Sequence, residues 1–101
     1  MQLTNEFDPI RDWAKERGIY EKGNIETQFE KLLEEVNELK QGIENDDLNE
    51  FIDAIGDCVV VLTNMAALNG VPIEFCINSA YEVIKNRKGV MKNGFFEKDA
   101  K

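Results

Sequence analysis

Apolar residues along this chain recur every three or four positions, the spacing that places side chains on one face of a helix. The clearest run starts around Asn24, and its apolar positions are Ile25, Phe29, Leu32, Leu33, Val36, Leu39 and Ile43. A longer run starts at Asp46 or Asp47, ends at Asn69-Gly70 and includes an uninterrupted apolar stretch at 58–62. A helix that is apolar on every side is buried on every side, so we expect this segment to be central.

Capping residues mark another helix before these two. The pair Asp8-Pro9 predicts its start, because aspartate caps a helix and proline suits the first turn. Gly18 predicts its end, and residues 19–23 are then expected to form a connector.

The C-terminal third contains one more helix and a tail. Pro72 predicts the start of this fourth helix, which we expect to end at Gly89. In the tail, 90–101, the pair Asn93-Gly94 lies between apolar residues and is a weak signal for a hairpin turn. Because helices joined by short connections mostly pack antiparallel, residues 1–101 are expected to form one all-α domain. The expected architecture is a four-helix-type antiparallel bundle with a short C-terminal tail, which associates into oligomers.

Composition narrows the range of partners and chemistries. The chain has 12 basic and 20 acidic residues and a net charge of −8, so we expect neither nucleic acid nor a membrane as a partner. It has no histidine, which removes Ser-His-Asp and Cys-His catalysis. Cys58 and Cys76 lie in apolar runs and are expected to be buried free thiols, as in a reducing cytoplasm. With no signal peptide visible, we expect a cytoplasmic protein.

Two sets of carboxylates fall at helical spacing on neighbouring predicted helices. Glu35 and Glu38 border the apolar stripe of one helix, and Glu50, Asp53 and Asp57 lie within an arc of about 60° on the next. Facing sets of this kind form a cage of oxygen ligands, which Mg²⁺ or Mn²⁺ prefers. Because the second set leads directly into the apolar stretch, we expect its acidic face to point into the protein. Like charges there need a cation to compensate them.

Two further residues belong to this hypothesis. Glu34 falls opposite the apolar stripe and should be solvated. Gly56 lowers helix propensity by about 1 kcal/mol, and we expect the close approach of a neighbouring element to be the reason for it.

The alternative interpretation of the two carboxylate sets is that all of these acids form an ordinary solvated stripe.

The residues KLLEEVNEL at 31–39, followed by DAIGD at 53–57 and a run of Val and Leu, resemble the MazG-like all-α nucleoside triphosphate pyrophosphohydrolases. These include dCTP- and dUTP-type pyrophosphatases. The resemblance covers about residues 24–90 and extends to a basic segment, Lys85-Asn86-Arg87-Lys88. The family pattern is ExxE on one helix and ExxD on the next. It implies that Glu35, Glu38 and Asp57 are metal ligands.

The chain departs from that pattern at one position. Ala54 stands three residues before Asp57, where the family usually has glutamate. Either Asp53 or Glu50 then supplies the fourth ligand, or Glu50 and Asp53 form the true ExxD and Asp57 is an additional acid. We prefer the alignment on Asp57, because the Gly-Asp pair and the apolar run agree with it.

The resemblance implies Mg²⁺-dependent hydrolysis of a nucleoside or deoxynucleoside triphosphate to the monophosphate and pyrophosphate, with Mn²⁺ as a possible substitute, by a homodimer or homotetramer. Glu35 or Glu38 would also take a proton during the reaction. The basic residues of 85–88 are candidates for binding the pyrophosphate, although they also suit a helix C-terminus. Trp13 is a candidate for stacking on the base, and Gln28 and Lys31 for other substrate contacts, although an aromatic residue in a small bundle is more often core.

Two other functions remain open. A phosphoribosyl-ATP pyrophosphohydrolase shares the all-α scaffold and the carboxylate pairs but acts on a different substrate. A helical partner-binding module without catalytic activity would carry the same acids as a solvated surface.

Overall fold

The computed structural model describes residues 5–99 and shows an all-α chain that ends in a two-stranded hairpin. The elements within that range are α1 Phe7–Glu16, α2 Ile19–Lys22, α3 Ile25–Glu44, α4 Leu48–Leu68, α5 Ile73–Ile84, β1 Gly89–Lys92 and β2 Phe95–Lys98. The predicted all-α fold is confirmed.

The two long helices, α3 and α4, form an antiparallel pair that is the largest packing unit of the chain. Polar side chains begin both helices: Asn24 Oδ1 accepts from the backbone N–H of Thr27 at 2.8 Å, and Asp47 plays the same part for α4. The helices approach closely where they are joined, because a Cβ on Gly42 would lie 3.0 Å from the backbone nitrogen of Phe51. The tight turn between them includes Asp46 at a positive φ of 53°.

Three predicted boundaries were wrong. Helix α1 begins at Phe7 with Glu6 at its N-cap, so Asp8, the predicted cap, lies inside the first turn. Residues 19–23 were expected to be a connector, but most of them form the short helix α2 after a left-handed Gly18. The fourth predicted helix ends at Ile84 rather than at Gly89. The physical reason lies in the hairpin, because pairing of β1 with β2 takes in Gly89, and the backbone N–H of Asp99 donates to the carbonyl of Lys88 at 2.8 Å.

The weak hairpin signal in the tail is confirmed. Asn93 and Gly94 both have positive φ, 53° and 84°, which is the conformation required of both central residues in the type I′ turns that match the twist of paired strands. The pairing runs antiparallel, with Val90 opposite Glu97.

Helix α1 is held across the bundle by an ion pair to α5. The Arg11 guanidinium donates to both carboxylate oxygens of Glu74 at 2.7 Å and also to Asp8 at 2.6 Å. These two-pronged contacts orient both groups, and the hydrogen bond from Arg11 lowers the pKa of Glu74 below its usual value. Ala14 of α1 is fully buried in the same packing arrangement. The ion pair therefore fixes where α1 lies relative to α4 and α5.

The core of a single chain is small. Within residues 5–99 the buried apolar side chains are Ala14, Ala54 and Val61. The Cα radius of gyration is 16.2 Å, against about 13 Å for a compact domain of this length. Much of α4 is therefore left uncovered, and among residues 5–99 nothing lies within 4 Å of a Cβ built on Gly56, which overturns the expected close approach. Cys76 of α5 is exposed rather than buried as expected. Cys58 is half-buried.

Helix α4 is also long and apolar enough to cross a membrane when judged by length and composition alone. Its contacts with α1, α2, α3 and α5 account for part of that composition, on the faces of α4 that these helices cover.

Replacing Glu74 with glutamine tests the ion pair through its pH dependence. Because the pKa of Glu74 is lower in the folded state, its contribution to stability is present above the ordinary glutamate pKa of about 4.3 and is lost as pH falls through the lowered value. Wild type should therefore melt at a higher temperature than Glu74→Gln at pH 7, and the gap should close on acidification. Glu21→Gln, an exposed change on α2, serves as the control. A gap that does not vary between pH 7 and pH 3 contradicts this account.

Candidate functional site

A pocket of about 510 Å³ opens between α1, α2, α3 and α4. It lies in the size range of small-molecule sites. Its lining combines aromatic, apolar, acidic and amide side chains: Trp13, Ile19, Thr27, Gln28, Glu30, Lys31, Glu34, Glu35, Asp57, Val60, Val61 and Asn64.

Glu35 is the buried acid of this pocket. Only 5% of its surface is exposed, and its Oε1 atom is buried without a hydrogen-bond partner among residues 5–99. Its other oxygen, Oε2, lies 3.5 Å from Nζ of Lys31, one helical turn earlier. The charge of Glu35 is the main reason why the pKa of Lys31 is raised. A buried, unpaired acceptor costs about 1–3 kcal/mol, more if charged, so this oxygen is costly unless something binds it.

Asp57 of α4 lies on the same pocket. Much of its surface is exposed, yet partial burial of its carboxyl raises its pKa, and the negative charges of Glu35 and Asp53 raise it further. The positive charge of Lys31 lowers the pKa of Asp57. Burial raises the pKa of the Cys58 thiol, and the charges of Glu35 and Asp57 raise it further. The pocket therefore carries an excess of negative charge.

The expected inward-facing acidic face is not formed by a single chain. Glu38, Asp53 and Asp57 are exposed, and Glu50 is half-buried. Glu35 is the exception. Across residues 5–99, no group of three or more acidic or cysteine side chains lies close enough together to hold a metal ion. Within a single chain the crowded buried cage is not present, because the other elements cover only part of α4, and the full ligand set stays a prediction.

The remaining candidate ligands lie outside the pocket lining. Glu50 belongs to the first turn of α4, where its backbone N–H donates to Asp47 and its Cγ would lie 3.2 Å from a Cβ on Gly42. Glu38 and Asp53 are also absent from the lining. Of the acids predicted on α4, Asp57 is the one that the structure brings to the pocket with Glu35.

The candidate substrate contacts divide into two groups. Trp13, Gln28 and Lys31 all line the pocket, and Trp13 is partly exposed rather than a core residue. The basic segment 85–88 does not line it and instead connects α5 to β1. Within that segment, Lys85 pairs with Glu82 at 2.6 Å.

Sequence reasoning missed a buried amide in the pocket. Asn64 of α4 is 2% exposed, and its Oδ1 accepts a hydrogen bond from the hydroxyl of Tyr20 at 2.8 Å. One signal was available, because Asn64 falls on the same helical arc as Asp53 and Asp57. Nothing in the sequence linked it to Tyr20, which lies 44 positions away.

Glu35 and Asp57 have the donor chemistry that a hard divalent cation requires. Magnesium sites commonly use one or two carboxylates and complete the coordination shell with water and substrate phosphates, so a cluster of three acids is not required. Glu35 offers a buried oxygen without a partner, and Asp57 adds a carboxylate in an electrostatically negative setting.

Comparison with known proteins identifies related sequences. The sequence model described as phosphoribosyl-ATP pyrophosphohydrolase matches residues 9–86. That family lies within the MazG-like all-α superfamily, so the resemblance is confirmed at this level. The narrower likeness to dCTP- and dUTP-type enzymes stays a prediction.

A curated relative is an uncharacterized 18.2 kDa protein in the rep-hol intergenic region of Haemophilus phage HP1 (strain HP1c1). It is 38% identical over 60 residues, or 59% of this chain, and the alignment spans 37% of the relative's length. No solved structure gives a significant match.

Removing the charge of Glu35 should stabilise the metal-free protein. Glu35→Gln keeps the shape of the side chain but no longer confines a carboxylate in the pocket, and we expect the free energy of unfolding to rise by about 1 kcal/mol. Urea denaturation in the presence of a chelator measures it. Glu44→Gln, an exposed change at the end of α3, should have little effect. A clear loss of stability in Glu35→Gln would mean that the carboxylate serves the fold.

Proposed function

The chain belongs to the phosphoribosyl-ATP pyrophosphohydrolase family, and from this premise we propose that it releases pyrophosphate from a nucleoside or deoxynucleoside triphosphate with the help of Mg²⁺. The family supports nucleotide pyrophosphohydrolase activity in general terms. One observation carries the proposal furthest: the buried Oε1 of Glu35 has no partner and lies in a pocket large enough for a ligand.

Glu35 and Asp57 would hold the cation, which supplies positive charge to the triphosphate oxygens when bound. Glu35 is fixed by burial and Asp57 is more accessible. Glu38 stays a proposed further ligand or proton acceptor, one turn from Glu35 on α3. Water adds to the α-phosphorus, the α–β anhydride bond breaks, and the products are a nucleoside monophosphate and pyrophosphate.

Lys31 is the cation nearest to this centre. Its side chain is half exposed, and Nζ lies 3.5 Å from Glu35 and 3.8 Å from Glu34. An ammonium at the edge of the pocket can contact a phosphate oxygen while it remains near the carboxylates. Lys31 would therefore balance charge on the incoming triphosphate. The basic segment 85–88 stays a proposed site for the leaving pyrophosphate.

The other side of the pocket suits a nucleoside. Trp13 offers an aromatic face, and Ile19, Val60 and Val61 add apolar surface. Gln28 provides an amide within the same lining. We propose that the base lies against Trp13, with the triphosphate directed towards Glu35 and Asp57.

Phosphoribosyl-ATP is the second candidate substrate, favoured by the description of the matching family. It carries the same triphosphate, so the proposed carboxylate chemistry would apply without change. The two candidates differ at the base, and direct comparison of both substrates separates them.

The active form is proposed to be a homodimer or a larger assembly. On α4 the exposed apolar residues follow alternating steps of four and three, the pattern of helices that pack side by side. They are Leu48, Ile52, Ile55, Val59 and Leu62. A similar exposed series on α3 includes Phe29, Leu33, Val36 and Ile43. A second copy of the chain would cover these series and complete the small core.

Pyrophosphate release from a panel of nucleotides tests the proposed reaction. Wild type with Mg²⁺ should hydrolyse at least one triphosphate, and both Glu35→Gln and Asp57→Asn should lower kcat/KM by about 100-fold or more, because each removes a metal-binding carboxylate. Chelation should abolish the activity. Glu44→Gln is the matched control.

Two results would contradict the proposal. Activity that is unchanged in Glu35→Gln would remove the carboxylate from the mechanism. A wild type without activity towards any triphosphate, including phosphoribosyl-ATP, and without saturable Mg²⁺ binding would favour a helical partner-binding module.

Two matched substitutions of exposed valines test whether the chain associates with a second copy. Light scattering should give wild type at least twice the 11.6 kDa mass of one chain, and Val59→Glu on α4 should shift the protein to the monomer. Val90→Glu on β1 places the same charge on an exposed valine outside the α4 series and should leave the mass unchanged. A monomeric wild type at micromolar concentration would refute the assembly.

A further inference from the structure

We propose that Asn64 selects nucleotides whose base presents a carbonyl oxygen, and that Tyr20 is the positioning residue that orients the Asn64 amide. The inference rests on the proposed function and deepens it, because it names the class of base that the pocket takes. It is carried by the Tyr20–Asn64 hydrogen bond and by the place of Asn64 in the pocket.

Asn64 is an unusual residue for its position. It is 2% exposed in the C-terminal part of the most apolar helix, where burial of an amide is costly unless its groups are bonded. The neighbouring buried Thr63 satisfies its hydroxyl within the helix, by donating to the carbonyl of Val59 at 2.7 Å. Asn64 instead reaches across to α2 and lines the pocket.

The hydrogen bond from Tyr20 decides which end of the amide can serve a ligand. Burial raises the pKa of Tyr20, so its hydroxyl remains a protonated donor at neutral pH. A phenolic hydroxyl can donate or accept, and in the structure the Tyr20 hydroxyl donates to Oδ1 of Asn64 at 2.8 Å. The Nδ2 group, which carries two donors, is then the part of the amide left for a bound molecule.

The pocket gives this donor a defined partner. Trp13 and the apolar side chains of Ile19 and Val60 suit the faces of a flat ring, whereas Asn64 offers a polar contact to its edge. An edge carbonyl, as in uracil or hypoxanthine, accepts from Nδ2. An amino group at the same ring position, as in cytosine or adenine, would place donor against donor and leave both without a partner. The site would therefore disfavour the adenine of phosphoribosyl-ATP.

Two pairs of substrates isolate this contact. dUTP and dCTP differ at position 4 of the ring in an oxo or an amino group, and dITP and dATP differ in the same way at position 6. In each pair kcat/KM should favour the oxo substrate by about tenfold or more, which is the scale of one hydrogen bond with a mismatched alternative.

The variants address the amide and its orientation. Tyr20→Phe should lower the ratio, because Asn64 is then free to turn either end towards the ligand. The double change Tyr20→Phe with Asn64→Leu removes both polar partners together, which preserves folding better than either loss alone, and should bring the ratio to about one. Tyr81→Phe removes the hydroxyl of an exposed tyrosine on α5 and is the matched control. A purely structural role would lower activity on all four substrates equally and leave the ratios intact.

Binding gives an independent reading, because Trp13 is the single tryptophan of the chain. Its fluorescence should respond to α,β-imido dUTP at lower concentration than to the dCTP analogue. If the oxo nucleotides bind more tightly but none is hydrolysed, the recognition by Asn64 is supported and the proposed reaction is overturned. Hydrolysis with no oxo preference, or with a preference that survives in the double variant, overturns the role of Asn64 and leaves the reaction standing. If the protein neither binds nor hydrolyses these nucleotides, both the recognition by Asn64 and the proposed reaction are overturned.

Discussion

The burial of one carboxylate, that of Glu35, is the constraint on which the site depends. The side chain lies on the inner side of α3, where Lys31 balances part of its charge through one oxygen and nothing bonds the other. A fold selected for stability alone would place an apolar or a fully bonded residue there. We propose that the carboxylate is kept for a positively charged ligand, in keeping with the raised pKa of Asp57, which burial and then the charges of Glu35 and Asp53 cause.

The second constraint is the small core of the isolated chain. With three buried apolar side chains among residues 5–99, the isolated chain has a small core for its length. The exposed series on α3 and α4 offer the missing surface in a form that suits another helix pair. We propose that assembly supplies part of the stability, and the pocket, to which α3 and α4 contribute together with α1 and α2, would then be tied to both.

The sequence predicted the helices that have strong local signals. Asn24 and Asp47 cap α3 and α4 as their positions indicated, and Asn93-Gly94 forms the turn of the hairpin. Prediction failed where the outcome depends on contacts distant in sequence. The end of α5 is decided by strand pairing, the exposure of Gly56 by how little of α4 the other elements cover, and the exposure of Cys76 by how little packs on its face of α5.

The site could be predicted in part for the same reason. Helical spacing located Glu35 at the edge of the core, but the pairing of Tyr20 with Asn64 arises only when α2 folds onto α4. The most direct measurement is a crystal structure with Mn²⁺ and a non-hydrolysable triphosphate, using anomalous scattering to locate the metal. We expect a peak within bonding distance of Oε1 of Glu35, with Asp57 as a second protein ligand. A bound nucleotide with no metal beside Glu35, or a metal held entirely by other residues, would contradict the account.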